Sequence, residues 1–281
     1  MELSTLFETV LWFRLGVLLI LGLCFGSFLN VVIYRLPIIL NAKWRGQAQE
    51  ILELPIEASK KLSLSFPSSF CPKCEQKIPW WTNIPLFGYL AVRGKCYSCS
   101  QSISLRYPII ELLTAILFVA IGYHYNDSWQ IVFACGFTAV IIALTFIDLD
   151  TFLLPDELTL PLIWAGLLVN LHGLFSDSLD ASIFGAVIGY LSLWSIYWAF
   201  KLLTGKEGMG YGDFKLLAAI GAWFGWQSLV NVLLISSLLG IIYAITLRLI
   251  GKLESGKAIP FGPFLGGGAI LSLFFTKFMM L

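Results

Sequence analysis

Charge is scarce in this 281-residue sequence. Asp, Glu, Lys and Arg make up 12% of it, against 58% hydrophobic residues. Soluble domains carry about a quarter charged residues, so a water-soluble globule is excluded and a membrane protein remains. Histidine is nearly missing, with two in the whole chain. Neither lies in an H-E-x-x-H stretch, which excludes that metalloprotease helix. His124 and His172 are read as surface or interfacial residues, and no Ser/His/Asp arrangement can be built with them. No alternating pattern marks a membrane barrel, no solenoid-length repeat or low-complexity tract is visible, and a net charge of +1 with mixed signs leaves no nucleic-acid footprint.

What is present is a series of long apolar runs. A helix needs roughly 20 apolar residues to cross the hydrocarbon core, and about eight such segments can be drawn, at 10–34, 107–125, 129–147, 157–175, 181–203, 211–226, 228–250 and 261–281. Unpaired strands cannot cross lipid, so the expected fold is an all-α polytopic membrane bundle. The first segment has Glu2, Glu8 and only Arg14 before its apolar stretch, and no A-x-A-like cleavage site after it. It is therefore expected to be a retained helix. The sixth is the shortest, giving only about 20 Å of helix from Phe214 to Trp226.

Basic residues collect on one side of these segments. Loops 35–106, 201–215 and 248–257 hold ten, three and three of the 18 Lys and Arg. The opposite loops contain His124, Asp127, His172, Asp177 and Asp180 but no Lys or Arg. The positive-inside rule then places the basic loops in the cytoplasm and the N-terminus outside. The resulting division is a first transmembrane helix (1–37), a cytoplasmic insertion (38–106) and a membrane bundle (107–281), with a short mixed-charge helical stretch expected at 41–65.

Four of the six cysteines lie in that insertion as two C-x-x-C pairs, Cys71/Cys74 and Cys96/Cys99. Each pair puts two sulfurs on one turn, and two turns supply the tetrahedral thiolate shell that zinc prefers. Lys73, Lys77, Arg93 and Lys95 flank the pairs and offset the thiolate charge. Two disulfides are the alternative, disfavoured in a cytoplasmic loop. A closed four-sulfur shell leaves no open position, so a structural role is expected. Cys24 and Cys135, inside apolar runs, read as small packing residues.

Carboxylates in apolar segments are costly and need a reason. Asp148 closes the third segment and Asp213 opens the sixth, both at the cytoplasmic edge by the charge count. Two carboxyls close enough to share a proton split into an acid and a base, a pair able to direct water onto a peptide carbonyl. Helix capping and proton relay are the competing uses. The glycines of Gly208-Met-Gly-Tyr-Gly212 before Asp213 are expected to supply positive φ and close backbone approach. Asp156 reads as a cap of the fourth helix, Asp150 as the alternative to Asp148, and Glu111 as a residue that pairs with Arg106 or a loop lysine or lines a polar pocket.

Taken in order, Gly26-Ser-Phe-Leu-Asn30…Tyr34-Arg35-Leu-Pro37, the two C-x-x-C pairs, Ile147-Asp148-Leu-Asp150 with Leu154-Pro-Asp156, Gly210-Tyr-Gly212-Asp213 and Pro260-Phe-Gly-Pro263 resemble the type IV prepilin peptidase family, bifunctional leader peptidases and N-methyltransferases of type IV pilus and type II secretion systems. The resemblance implies a G-x-G-D aspartic peptidase with Asp148 and Asp213 catalytic. It further implies inner-membrane location, cleavage of the basic leader of prepilins and pseudopilins after a Gly at the cytoplasmic face, and methylation of the new N-terminal amine from S-adenosylmethionine. The donor site cannot be derived from the residues. Two rivals stay open from the residues alone: a proton-coupled transporter, although the internal duplication common in transporters is missing, and an assembly factor that uses zinc to hold a docking surface.

Overall fold

A computed structural model describes residues 3–55, 62–71, 73–251 and 259–275. Glu2, Lys60, Lys61, Lys252 and Lys257 of the charge pattern, and residues 276–281 of the last expected segment, lie outside the described residues. The chain divides into two compact units, Met1–Ile131 and Val132–Leu281. Most of the described residues are helical, and among them there is no strand beyond two isolated bridges.

The first unit holds α1 (Leu3–Thr9), α2 (Leu11–Ile51), a 3₁₀ turn at Trp80–Asn83, α3 (Phe87–Ala91), α4 (Arg106–His124) and the first turn of α5 (Ser128–Thr151). Helix α2 has 41 residues, or about 60 Å at the standard rise. It passes through Pro37 without ending, and so absorbs the charged residues up to Glu50. The separate helix expected from residue 41 is thus the distal part of α2 as far as Ile51.

Small residues let α2 and α4 touch backbone to backbone. A Cβ on Gly22 would stand 2.5 Å from Ala115 Cα, and one on Gly26 2.6 Å from Glu111 Cα. Without solvent exclusion as a driving force, close packing of this kind is what joins helices in lipid. Asn30 fastens the pair near the start of α4, its Nδ2 donating to the carbonyls of Gly26 (3.2 Å) and Tyr107 (3.1 Å).

The second unit contains the remainder of α5, α6 (Asp156–Val169), a 3₁₀ turn at Asn170–His172, α7 (Leu179–Thr204), α8 (Tyr211–Phe224), α9 (Gln227–Leu249) and α10 (Gly262–Phe275). Helix α8 is its centre. Every residue from Leu216 to Phe224 is buried, and α8 packs on α6, α7, α9 and α10. Against α7 the contact is again backbone to backbone, since a Cβ on Gly185 would lie 2.2 Å from the Gly221 carbonyl oxygen. Trp223 of α8 stacks near Phe137 (4.7 Å between centroids) and donates its Nε1–H to the Leu162 carbonyl at 2.9 Å.

Asn170 satisfies the C-terminal end of α8. Its Nδ2 donates to the carbonyls of Ala222 (3.0 Å) and Trp223 (2.8 Å) and to Ser182 Oγ, while its Oδ1 accepts from the N–H groups of Phe175 and Ser176. Helix ends leave four carbonyls without intrahelical partners, and a helix enclosed by protein must find them partners inside.

Five helices, α2, α4, α5, α7 and α9, are long and apolar enough to cross a membrane. The fourth, sixth and eighth expected segments are also helical; α10 is described as far as Phe275, whereas α6 and α8 have 14 residues each. That is about 21 Å, short of the roughly 30 Å hydrocarbon core. The shortness of α8 has a visible reason: its sides meet protein, and its far end is closed by Asn170.

Candidate active site and metal centre

Three separate stretches of the second unit converge on Asp148 and Asp213. Asp148 sits in the last turn of α5, 5% exposed, and Asp213 in the first turn of α8, 7% exposed. The two lie within direct Coulombic reach of each other. Asp148 Oδ2 accepts a hydrogen bond from the Gly262 N–H at 3.0 Å, where α10 begins. Asp213 Oδ1 is buried and without a hydrogen-bond partner among the described residues. Leu154 packs between the loops, with its Cβ 2.7 Å from where a side chain on Gly212 would start and its Cδ2 3.3 Å from the same point on Gly262. The segments read from the sequence as I-D-L-D, G-Y-G-D and P-F-G-P therefore form one place.

The glycines preceding Asp213 do not supply the positive φ expected of them. Gly210 has φ −84°, and neither Gly208 nor Gly212 is among the positive-φ glycines. Space is the requirement. A Cβ on Gly212 would collide with Leu154, and one on Gly208 would press on the Phe200 ring at 3.0 Å. Positive φ occurs instead at Gly205 (70°), the usual left-handed position just past α7, and at Gly225 (76°), which ends α8 in an extended conformation with ψ 169°.

Other acids are placed as follows. Asp156 is the first residue of α6, whose N-cap is Pro155 with no side-chain cap bond. The expected cap is replaced by an ion pair, Asp156 Oδ1 to Lys215 Nζ at 2.6 Å. Asp150 is exposed near the end of α5. Glu111 is buried in the first unit, where its Oε2 accepts the Leu86 N–H at 2.8 Å. It lines a cavity, the second of the two roles expected, and among the described residues no lysine or arginine pairs with it. His124 and His172 are exposed, and His124 rests edge-on against Tyr125. Cys135 is buried as expected, whereas Cys24 is exposed.

The cysteine module is built from two matching turns. The Cys71 N–H donates to Gln76 O and the Glu75 N–H to Cys71 O; the Cys96 N–H donates to Gln101 O and the Ser100 N–H to Cys96 O. Glu75 and Ser100, each following its pair's second cysteine, both have φ 56°. An antiparallel bridge spans each turn, Phe70 to Lys77 and Lys95 to Ser102. The four sulfurs lie within 4.8 Å of one another, and Cys71 Sγ is 3.8 Å from Cys99 Sγ. A tetrahedral thiolate shell with bonds of about 2.3 Å places its sulfurs about 3.8 Å apart, so the donor set fits a metal ion. Backbone N–H groups of Cys74 and Lys73 aim at Cys71 and lower its thiol pKa to about 6.

One functional contact was not legible in the side chains. The Gly262 N–H that holds Asp148 comes from backbone, and the only pointer to it was the compact Pro260-Phe-Gly-Pro263 run.

Fold and site together define a polytopic α-helical membrane protein with a four-cysteine cluster that fits a metal ion in one unit and a paired, buried aspartate site in the other. Residues 20–125 match the Bacterial Peptidase A24 N-terminal domain, and residues 135–245 match the Type IV leader peptidase family. The chain is 52% identical over 248 residues to a prepilin leader peptidase/N-methyltransferase of Stutzerimonas stutzeri, covering 88% of this chain and 86% of the relative. It is 51% identical to one of Pseudomonas aeruginosa (88% and 85% covered) and 50% identical to one of Neisseria gonorrhoeae (87% and 84%). No solved structure matches. The chain belongs to the Type IV leader peptidase family.

Proposed function

We propose that this protein is a bifunctional enzyme of the bacterial inner membrane. It removes the basic leader of prepilins and pseudopilins and then methylates the exposed N-terminal amine. The reading is carried by the convergence of Asp148, Asp213 and Gly262 around Leu154, together with relatives at about half identity that bear both activities in their names. Residues 107–281 perform cleavage, while the 38–106 insertion belongs to methyl transfer. Sixteen of 18 basic residues on one side support a cytoplasmic active site and cysteine module, with a periplasmic N-terminus.

In cleavage, one aspartate is ionised and takes a proton from water while the other, protonated, donates to the scissile carbonyl; the roles exchange as the amine departs. Asp148, already holding a backbone N–H on Oδ2, is fixed in orientation. Asp213 keeps an unpartnered oxygen for water or carbonyl. The substrate's apolar helix docks from the bilayer, so its scissile bond meets the dyad while the basic leader stays in water.

Zinc held by Cys71, Cys74, Cys96 and Cys99 supports the insertion as a structural ion. S-adenosylmethionine supplies an electrophilic methyl group for the second reaction. The test is single Asp148→Asn and Asp213→Asn exchange, with prepilin cleavage assayed in detergent. Each change is expected to abolish cleavage, and full activity in either variant rejects the assignment.

A further inference from the structure

The first unit contains a cavity of about 750 Å³ enclosed by α2, the start of α4 and the inner side of the cysteine module. Small-molecule sites run from roughly 300 to 1,000 Å³, mostly apolar with a few placed polar groups, and this one has that composition. Tyr34, Tyr89 and Tyr107 line it beside Asn30 and Arg35, and Glu111 is the one carboxylate among its lining residues. Arg35 is already engaged, donating to the carbonyls of Ser63 and Leu64.

Glu111 is held as a built feature. Gly26 brings α2 against its Cα, and Leu86 reaches it with a backbone N–H from a residue at φ 59°. Positive φ at leucine costs free energy and persists only where surroundings enforce it. The chain around it is closely packed, since Gly88 abuts the Thr82 carbonyl with no room for a side chain. Among the described residues no basic side chain is paired with it, and such a buried acid next to aromatic rings suits an organic cation.

We infer that this cavity binds the sulfonium methyl donor S-adenosylmethionine, with Glu111 facing its positive charge and the tyrosines flanking its base. The inference rests on the N-methyltransferase reading above and gives that activity a place in the chain. Lys77 and Lys95 line the same space and complement the donor's own carboxylate.

The experiment uses the full chain in lipid nanodiscs, with equilibrium dialysis of labelled S-adenosylmethionine and of S-adenosylhomocysteine, which lacks the sulfonium charge. Loss of a charge-bearing contact predicts that Glu111→Gln weakens the former by about tenfold or more and the latter by less than about threefold. Val31→Trp, which fills the cavity from α2, is expected to weaken both. Bound metal and leader cleavage report that each preparation is folded.

Wild-type affinity for both ligands in both variants overturns the site. Equal weakening of the two ligands by Glu111→Gln overturns the charge role of that residue. Release of co-purified phospholipid by Val31→Trp without change in donor affinity shows a lipid cavity and also overturns it. If the wild type neither retains donor nor transfers label to prepilin, the N-methyltransferase reading itself has failed. Transfer of label with unaffected variants sinks the site alone.

Discussion

Gly262 and Asp148 are 114 residues apart in sequence and joined by a 3.0 Å hydrogen bond from the glycine N–H to the carboxylate Oδ2. A Cβ at position 262 would stand 2.6 Å from that same oxygen, so the contact admits no side chain. Gly262→Ala is therefore expected to push the Asp148 carboxyl aside. Displacements near 1 Å can cost about a hundredfold in rate, and cleavage should fall by about 10- to 100-fold while donor binding in the first unit stays intact. Cleavage near the wild-type rate would show that Asp148 does not depend on this bond.

A second expectation concerns α8. Gly185 and Gly221 press against each other's carbonyl oxygens, leaving no volume for a larger residue. Gly221→Leu must separate α7 from α8. Overpacking typically costs about 1–3 kcal/mol, and here the clash falls on backbone, so the upper end is expected. A lowered melting temperature in detergent, with loss of cleavage, is the readout; an unshifted melt would contradict the packing described.

Asn170 gives a third. Replacing it with Ala strips partners from two carbonyls at the end of α8 and from the N–H groups of Phe175 and Ser176. Buried polar groups left unmade cost about 1–3 kcal/mol each, with partial relief by relaxation. Asn170→Ala should therefore destabilise by roughly 2–4 kcal/mol, measured by thermal or denaturant unfolding. Asn170→Asp should be destabilising as well, because a carboxylate cannot donate to the Ala222 and Trp223 carbonyls.

Metal removal makes the fourth. Cys71 and Cys96 belong both to the thiolate cluster and to the cavity wall. Cys96→Ser should lower the metal-to-protein ratio measured by inductively coupled plasma mass spectrometry and open residues 62–106 to protease. Because the wall of the cavity is made by the same turns, donor affinity should drop with metal content across a chelator titration. Full donor affinity in metal-free protein would separate the two.

The conspicuous chemistry was legible in the sequence because it depends on side-chain type and spacing. Two C-x-x-C pairs announce a cluster wherever they fold, and acids at the ends of apolar runs announce themselves by their cost. Backbone contributions were not legible in the same way. The N–H of Gly262 has no side chain to advertise it, and the glycines before Asp213 suggest a positive φ that none of them has, while the tight contact of Gly212 with Leu154 depends on the fold. Helix α2 is longer than its sequence suggests, because Pro37 and the charges from Lys43 to Glu50 look like a terminus. A proline removes one hydrogen bond, which a long helix held by α4 and by Arg35 can lose without ending. The limits of α6 and α8 depend on which neighbours enclose them, and that is tertiary information.

The unbroken course of α2 has a mechanical consequence. It is about twice as long as the hydrocarbon layer is thick, and it carries Gly22 and Gly26 at one end of its contacts and Arg35 further along. Each residue turns a helix by about 100°, so inserting a single alanine between Asn30 and Arg35 would swing everything beyond it to another bearing while leaving the glycine contacts with α4 in place. The register of one rod thereby determines whether the water-side chemistry of the first unit points toward its own cavity.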